Sequence, residues 1–83
     1  MKPNYVVTAV DAPIGNIENH NWYRLERLER RERINYWLVT CVFKSPKRFD
    51  WVPGLSWQRE CNLRVATKEE WEDLICLKWT MSE

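Results

Sequence analysis

Apolar residues occupy both alternations of a strand between positions 34 and 43, where the sequence is INYWLVTCVF. A strand that is covered on both faces has this pattern. We therefore expect residues 34–43 to form the central strand of the fold, or to leave part of one face for a partner to cover. The β-branched segment YVVTAV, residues 5–10, predicts another strand.

Residues 55–66 alternate between apolar and polar positions. One alternation, interrupted only by Arg59, carries the apolar residues Leu55, Trp57, Cys61, Leu63 and Val65. The pattern predicts a single strand with one buried face and one face in water. Trp57 is expected to be a core residue because it lies on the apolar alternation.

Residues 22–33, WYRLERLERRER, are rich in Leu, Arg and Glu, which favour helices. Glu26 precedes Arg30 and Glu29 precedes Arg33 by four positions, the order that favours helical ion pairs. The apolar residues of this segment recur at every third position. We predict a helix here. The competing interpretation is a charged hairpin with ERRE as its turn, but ERRE lacks the Gly or Asn that tight hairpin turns prefer.

The last helix has the clearest start signal, because Thr67 and Glu70 have the spacing of a capping box. One face of this helix would carry the apolar residues Trp71, Leu74, Ile75 and Trp79. The predicted order is β-α-β-β-α in one domain, residues 1–83. This is a small α+β fold with a three-stranded, mainly antiparallel sheet and two helices packed on it.

Composition and charge narrow the class of protein further. The 83 residues include six Trp and carry a net charge of +1, with basic segments at 24–33 and 44–64 and an acidic segment at 67–83. Three cysteines without a C-x-x-C pair indicate a reducing compartment. No apolar run approaches the roughly 20 residues of a membrane helix, and no signal-peptide pattern is present. We therefore expect a cytoplasmic protein that does not enter a membrane.

Residues that could support catalysis or metal binding are few. His20 is the only histidine and has no partner in sequence that would make it a general base, so we expect an ordinary surface or capping residue. Cys41, Cys61 and Cys76 are too far apart to resemble the closely spaced ligand pairs of structural zinc sites, and we expect them in or near the core. The sequence predicts neither an enzyme nor a metal or cofactor site.

Two segments are candidates for a binding surface. In the predicted helix, Arg27 and Arg31 share a face that suits phosphate groups, although the interleaved Glu residues favour a solvated face with Glu–Arg pairs. In the loop, Lys47 and Arg48 lie beside two aromatic residues, Phe49 and Trp51. Such a loop suits base stacking or a protein hot spot. The two aromatic rings could equally cover a small core.

The function predicted from these patterns is that of a small non-catalytic protein-binding module: an adaptor, accessory or inhibitor protein that occupies a surface of a larger protein. The chain resembles, in size and self-contained character, the small accessory proteins of phages and other mobile elements. The predicted partner-binding residues are Arg27, Arg31, Lys47, Arg48, Phe49 and Trp51, and a homodimer is a further option.

The alternative is a nucleic-acid-binding domain that uses segment 44–64 together with the arginines of 24–33. It requires the two basic segments to form one continuous patch. An acidic helix start at 69–73 beside that patch would neutralise it.

Overall fold

Five antiparallel strands form one sheet, and a helix follows the last strand, in a computed structural model that describes residues 1–48 and 55–81. The strands and the helix are β1 Val6–Ala9, β2 Trp22–Arg31, β3 Ile34–Phe43, β4 Leu55–Arg59, β5 Leu63–Val65 and α1 Lys68–Met81. The strand order is β4-β3-β2-β1-β5. The strands predicted at 34–43 and 5–10 are confirmed, but the middle strand of the sheet is β2 rather than β3. The predicted three-stranded sheet with two helices is wrong.

The first error is the helix predicted over residues 22–33, which are a strand and a turn. Strand β2 pairs with β3 over its whole length, from Trp22 opposite Phe43 to Arg31 opposite Ile34, and with β1 on its other side. Backbone pairing along two neighbouring strands outweighs the helix preference of Leu, Arg and Glu, which is worth only tenths of a kcal/mol per residue, roughly 0–0.7. The competing hairpin is therefore correct, although its turn is Glu32–Arg33 rather than ERRE.

The helix-like spacing of apolar residues in β2 hides the fact that they lie on two faces of the sheet. No residue of β2 is skipped in the pairing between Trp22 and Leu25, so these two side chains point to opposite faces, and they belong to different core clusters. Between Leu25 and Arg27 the register with β3 shifts by one residue, so Leu25 and Leu28, opposite Val39 and Trp37, share a face. Apolar residues on two faces, together with one bulge, thus imitate one face of a helix.

The tight turn between β2 and β3 also departs from the usual sequence. Glu32 and Arg33 have φ angles of 50° and 69°, and positive φ at both central residues is the property of type I′ hairpin turns. Gly and Asn adopt this conformation more readily than Glu and Arg. Sequence reasoning gave the hairpin less weight because the turn lacks those residues.

The second error concerns residues 55–66, which form two strands rather than one. Strand β4 pairs with β3 and β5 pairs with β1, at opposite edges of the sheet, although only the 3-10 turn Glu60–Asn62 separates them. The outer strands of a flat five-stranded sheet would lie about 19 Å apart. The chain from Arg59 to Leu63 has four Cα–Cα steps and spans at most about 15 Å. The sheet must therefore curl until its two edges approach each other.

Buried side chains lie on both faces of the sheet, because the adjacent β1 residues Val6 and Val7 belong to different clusters. The clusters are Val6, Ile17, Trp22, Phe43 and Leu74 on one face, and Val7, Leu25, Trp37, Val39 and Leu63 on the other. Helix α1 contributes Leu74 to the core, but Trp71 is 44% exposed and Ile75 is half-buried. The predicted apolar face of the helix is thus packed only in part, and the side chain of Trp79 lies outside the described residues.

The helix start is confirmed in atomic detail. The backbone N–H of Glu70 donates to Thr67 Oγ1 (3.1 Å), and the backbone N–H of Thr67 donates to Glu70 Oε1 (3.0 Å). This reciprocal pair is the capping box that the sequence predicts.

Glu70 also forms a buried ion pair that the sequence does not reveal. Arg64 Nη1 and Nη2 donate to the two carboxylate oxygens at 2.7 and 2.9 Å, and the backbone N–H of Gly15 donates at 3.2 Å. Arg64 Nε donates further to the carbonyl oxygen of Ala12 (3.1 Å). Only 1% of Glu70 is exposed. The pair therefore ties the loop after β1, strand β5 and helix α1 together.

Candidate functional site

The side of strands β2, β3 and β4 that faces away from the buried residues Trp37 and Val39 carries an exposed surface of arginine and aromatic side chains. Leu38 of β3 lies between Arg27 of β2 and Trp57 of β4. Two residues nearer the hairpin turn, Tyr36 of β3 lies opposite Arg59 of β4. These residues point outward because their neighbours on β3, Trp37 and Val39, are buried. We call this surface the Arg–Trp face: Arg27, Arg31, Tyr36, Leu38, Trp57 and Arg59.

Strand β4 directs its apolar residues away from the core. Ser56 and Gln58 lie opposite the buried residues Val39 and Trp37 and so face inward. Leu55 and Trp57 face outward, with 61% and 37% of their surface exposed. The expectation that Trp57 belongs to the core is therefore wrong. Alternation shows that two faces differ, but it does not show which one is buried. An outward apolar patch of this kind is a common property of binding surfaces.

Three arginines lie over the aromatic rings of the Arg–Trp face. The Cζ atoms of Arg27 and Arg31 are 5.5 and 5.4 Å from the ring centroid of Trp57, and that of Arg59 is 6.0 Å from the centroid of Tyr36. These distances are within the range of cation–π attraction. The contacts hold the guanidinium groups over the apolar centre of the face.

Two glutamates on β2 neutralise part of this surface. Glu26 accepts hydrogen bonds from Thr40 Oγ1 and Arg24 Nη2, both at 2.7 Å, which lower the pKa of its carboxyl below the ordinary value. Glu29 accepts from Arg31 Nε at 3.0 Å. No ion pair joins Arg27 or Arg59 to a carboxylate in the part of the chain that the structure describes. The face therefore retains positive charge.

The six residues predicted from sequence do not form one site. Arg27 and Arg31 lie on the Arg–Trp face, near the hairpin turn. Lys47 and Arg48 follow the opposite end of β3, where Ser45 bonds to the segment before β2. Along β3, the end at Phe43 lies roughly 16 Å from the level of Arg27, which is opposite Leu38, and roughly 30 Å from the level of Arg31, which is opposite Ile34. Phe49 and Trp51 lie outside the described residues.

His20, which we expected at the surface or in a cap, is the C-cap residue of the 3-10 turn Ile17–Asn19, and its side chain is buried rather than at the surface. Its side chain is 8% exposed, and its ring packs edge-on against Trp22 with a centroid separation of 6.5 Å. Neither ring nitrogen has a hydrogen-bond partner in the described structure. A small cleft beside it is lined by polar side chains that include Asp11 and Arg48. Buried polar atoms without partners reduce stability.

Replacing His20 by Phe should therefore stabilise the fold. Phe keeps an aromatic ring against Trp22 and removes two unpaired nitrogens, so we expect the free energy of unfolding to rise by about 1 kcal/mol. Urea denaturation of the two proteins measures the difference. A loss of stability would instead mean that the nitrogens of His20 are paired in solution, through the adjoining cleft.

The cysteines differ from expectation in position. Cys41 is half-buried, but Cys61 and Cys76 are exposed rather than in or near the core, and none of the three forms a disulfide in the described structure. Within residues 1–48 and 55–81, no group of three or more His, Cys, Asp or Glu side chains is close enough to hold a metal ion. No helix in those same ranges is long and apolar enough to cross a membrane.

The chain matches no protein-family model, and neither the curated proteins nor the solved structures give a significant match. Its function therefore has to be argued from its own residues.

Proposed function

We propose that this chain is a small non-catalytic protein-binding module, an adaptor, accessory or inhibitor protein that occupies a surface of a larger protein through its Arg–Trp face. The observation that carries this proposal is the outward orientation of Leu55 and Trp57 on β4. A domain of this size has little apolar surface to spare. Its exposure on a regular sheet, away from the core, supports a role in binding.

The composition of the Arg–Trp face suits a protein partner. Trp, Tyr and Arg are the residues most enriched among interface hot spots, and all three types lie together here. Tyr36 and Leu38 of β3 are only half-buried, so a partner would cover the second apolar alternation of this strand. Three cysteines that form no disulfide in the described structure support a reducing, cytoplasmic setting for this interaction.

Nucleic-acid binding is less well supported. Arg64, a member of the basic segment 44–64, is paired with Glu70 of the acidic helix start, which is the neutralising arrangement that weakens this alternative. Lys47 and Arg48 lie far from Arg27 and Arg31 along β3. Two guanidinium groups already lie over the Trp57 ring, whereas base stacking requires an open ring face.

The test compares two exposed tryptophans. Trp57→Ala removes the centre of the Arg–Trp face, and Trp71→Ala removes a similarly exposed ring on helix α1. Wild-type and variant proteins are immobilised and exposed to lysate, and retained proteins are identified by mass spectrometry. We expect Trp57→Ala to lose a partner that wild type and Trp71→Ala both retain. Melting temperatures of both variants separate lost binding from lost folding.

A second assay addresses nucleic acid directly. Fluorescence anisotropy of labelled single- and double-stranded DNA and RNA is measured across salt concentrations. We expect no binding at physiological salt. Micromolar binding that weakens steeply with salt would indicate several phosphate contacts and would replace a protein partner with nucleic acid.

A further inference from the structure

Arg27 and Arg59 combine two properties that seldom occur together on a protein surface. Each is held against an aromatic ring, and neither is paired with a carboxylate in the described part of the chain. A guanidinium group near a ring face and without a carboxylate partner keeps N–H donors for a ligand. The cation–π contact also restrains the side chain before binding, which reduces the entropy lost when a ligand is bound.

Carboxylates on the same strands do not satisfy these donors. Glu26 is engaged by Arg24 and Thr40, and Glu29 is engaged by Arg31. Arg31 uses only its Nε in that pair, so its terminal nitrogens remain available. The Arg–Trp face thus presents guanidinium donors around an apolar centre formed by Leu38 and Trp57.

We infer that the partner of the Arg–Trp face is an acidic protein segment, whose Asp or Glu carboxylates bind Arg27, Arg31 and Arg59 while apolar side chains between them cover Leu38 and the part of Trp57 that the arginines leave exposed. Planar carboxylates match the two-pronged donor geometry of arginine. The apolar centre favours a polypeptide over free phosphate or a nucleic-acid backbone, which has no apolar side chains to place there. This inference rests on the proposed function, since it specifies the partner of that same face.

The test uses a defined probe rather than the natural partner. A 15N-labelled sample is titrated with a synthetic peptide in which four Glu residues alternate with Leu and Ser, and with the same peptide carrying Gln in place of Glu. The signals followed are the Trp57 indole N–H and the arginine Nε–H groups. We expect saturable shifts with the Glu peptide and binding weaker by about tenfold or more with the Gln peptide, the loss that follows from removing charge-assisted hydrogen bonds.

Two charge-matched variants show whether the effect is local. Arg27→Gln removes a donor from the Arg–Trp face. Arg30→Gln removes the same charge from β2 on the opposite alternation, where Arg30 lies opposite Asn35. We expect Arg27→Gln to weaken Glu-peptide binding by about tenfold and Arg30→Gln by less than about twofold. Equal losses in the two variants would mean attraction to net charge alone and would overturn the inference.

Other outcomes separate this inference from the proposed function. Equal binding of the Glu and Gln peptides, or no binding of either, would overturn the inference of an acidic partner. In the capture experiment, a protein that only Trp57→Ala fails to retain would still support the Arg–Trp face as a protein-binding surface. If Trp57→Ala loses no partner in the capture experiment, the proposed function fails as well. Tighter binding of inorganic phosphate or oligothymidylate than of the Glu peptide would assign the arginines to phosphate instead.

Discussion

Glu70→Ala should lower the free energy of unfolding by about 3 kcal/mol, the lower end of the cost of breaking a buried ion pair from one side, because Glu70 is buried while Arg64 is partly exposed. The Glu70 carboxylate accepts hydrogen bonds from both terminal nitrogens of Arg64 and from the backbone N–H groups of Gly15 and Thr67. Alanine would leave the Arg64 guanidinium without its counter-ion. It would also leave two backbone donors unsatisfied, and the loop, strand β5 and helix α1 would lose their common contact.

Urea denaturation monitored by circular dichroism measures this loss. Glu69→Ala is the matched control, because Glu69 is an exposed residue in the same helical turn, and it should change stability by less than about 0.5 kcal/mol. If Glu70→Ala does not fold, Glu70→Gln, which retains the side-chain length and an oxygen acceptor, should show an intermediate loss. Equal effects at the two positions would contradict a special role for Glu70.

Acid should remove the contribution of Glu70 within a defined pH range. Hydrogen bonds, chiefly from Arg64 and also from the N–H groups of Thr67 and Gly15, lower the pKa of Glu70 from 4.5 to about 2. Burial acts in the opposite direction but is outweighed. As pH falls below 4.5, the unfolded chain binds a proton at this group while the folded chain does not. The stabilisation is therefore complete above that pH and is lost as pH falls to about 2. Its size is on the order of 3 kcal/mol.

This pH dependence can be measured by urea denaturation at a series of pH values from about 6 down to about 2.5, a range chosen to cover most of the linked titration. Wild type should lose stability more steeply than Glu70→Gln, which has no carboxyl group to titrate at this position. Parallel declines would assign the acid sensitivity to other carboxylates. Glu60 is the first to consider, since the hydrogen bond from Trp37 Nε1 at 2.6 Å lowers its pKa too.

The parts of the fold that sequence predicts well are those with local causes. The Thr67–Glu70 capping box needs only residues three apart, and the β-branched and aromatic run of 34–43 forms a strand by its own composition. Strand β2 could not be predicted in this way. Its apolar residues have a helix-like spacing although Trp22 and Leu25 lie on opposite faces of the sheet, and its strand conformation depends on pairing with residues distant in sequence. Likewise, no local pattern shows that segment 55–66 serves both edges of the sheet.

For the candidate site, sequence analysis selected Arg27 and Arg31 but placed them on a helix and left out Trp57. One signal pointed to the correct orientation of β4. Arg59 shares the alternation of Leu55 and Trp57, and an arginine without a buried partner belongs on the side that faces water. The second apolar alternation of β3 was a further sign of an outward apolar surface. Burial could not be assigned to either face without the pairing of β4 to β3.

The splitting of segment 55–65 between the two edges of the sheet has a consequence for synthesis of the protein. Until this segment leaves the ribosome, β1 and β3 are the outer strands of a three-stranded sheet, and both expose unpaired backbone groups. Open strand edges of this kind pair readily with other chains. A nascent chain stalled before residue 55 would therefore be prone to aggregation or capture by chaperones. Because one short segment covers both edges, the release of about ten more residues, the length of the missing strands, would end the exposure of both edges together.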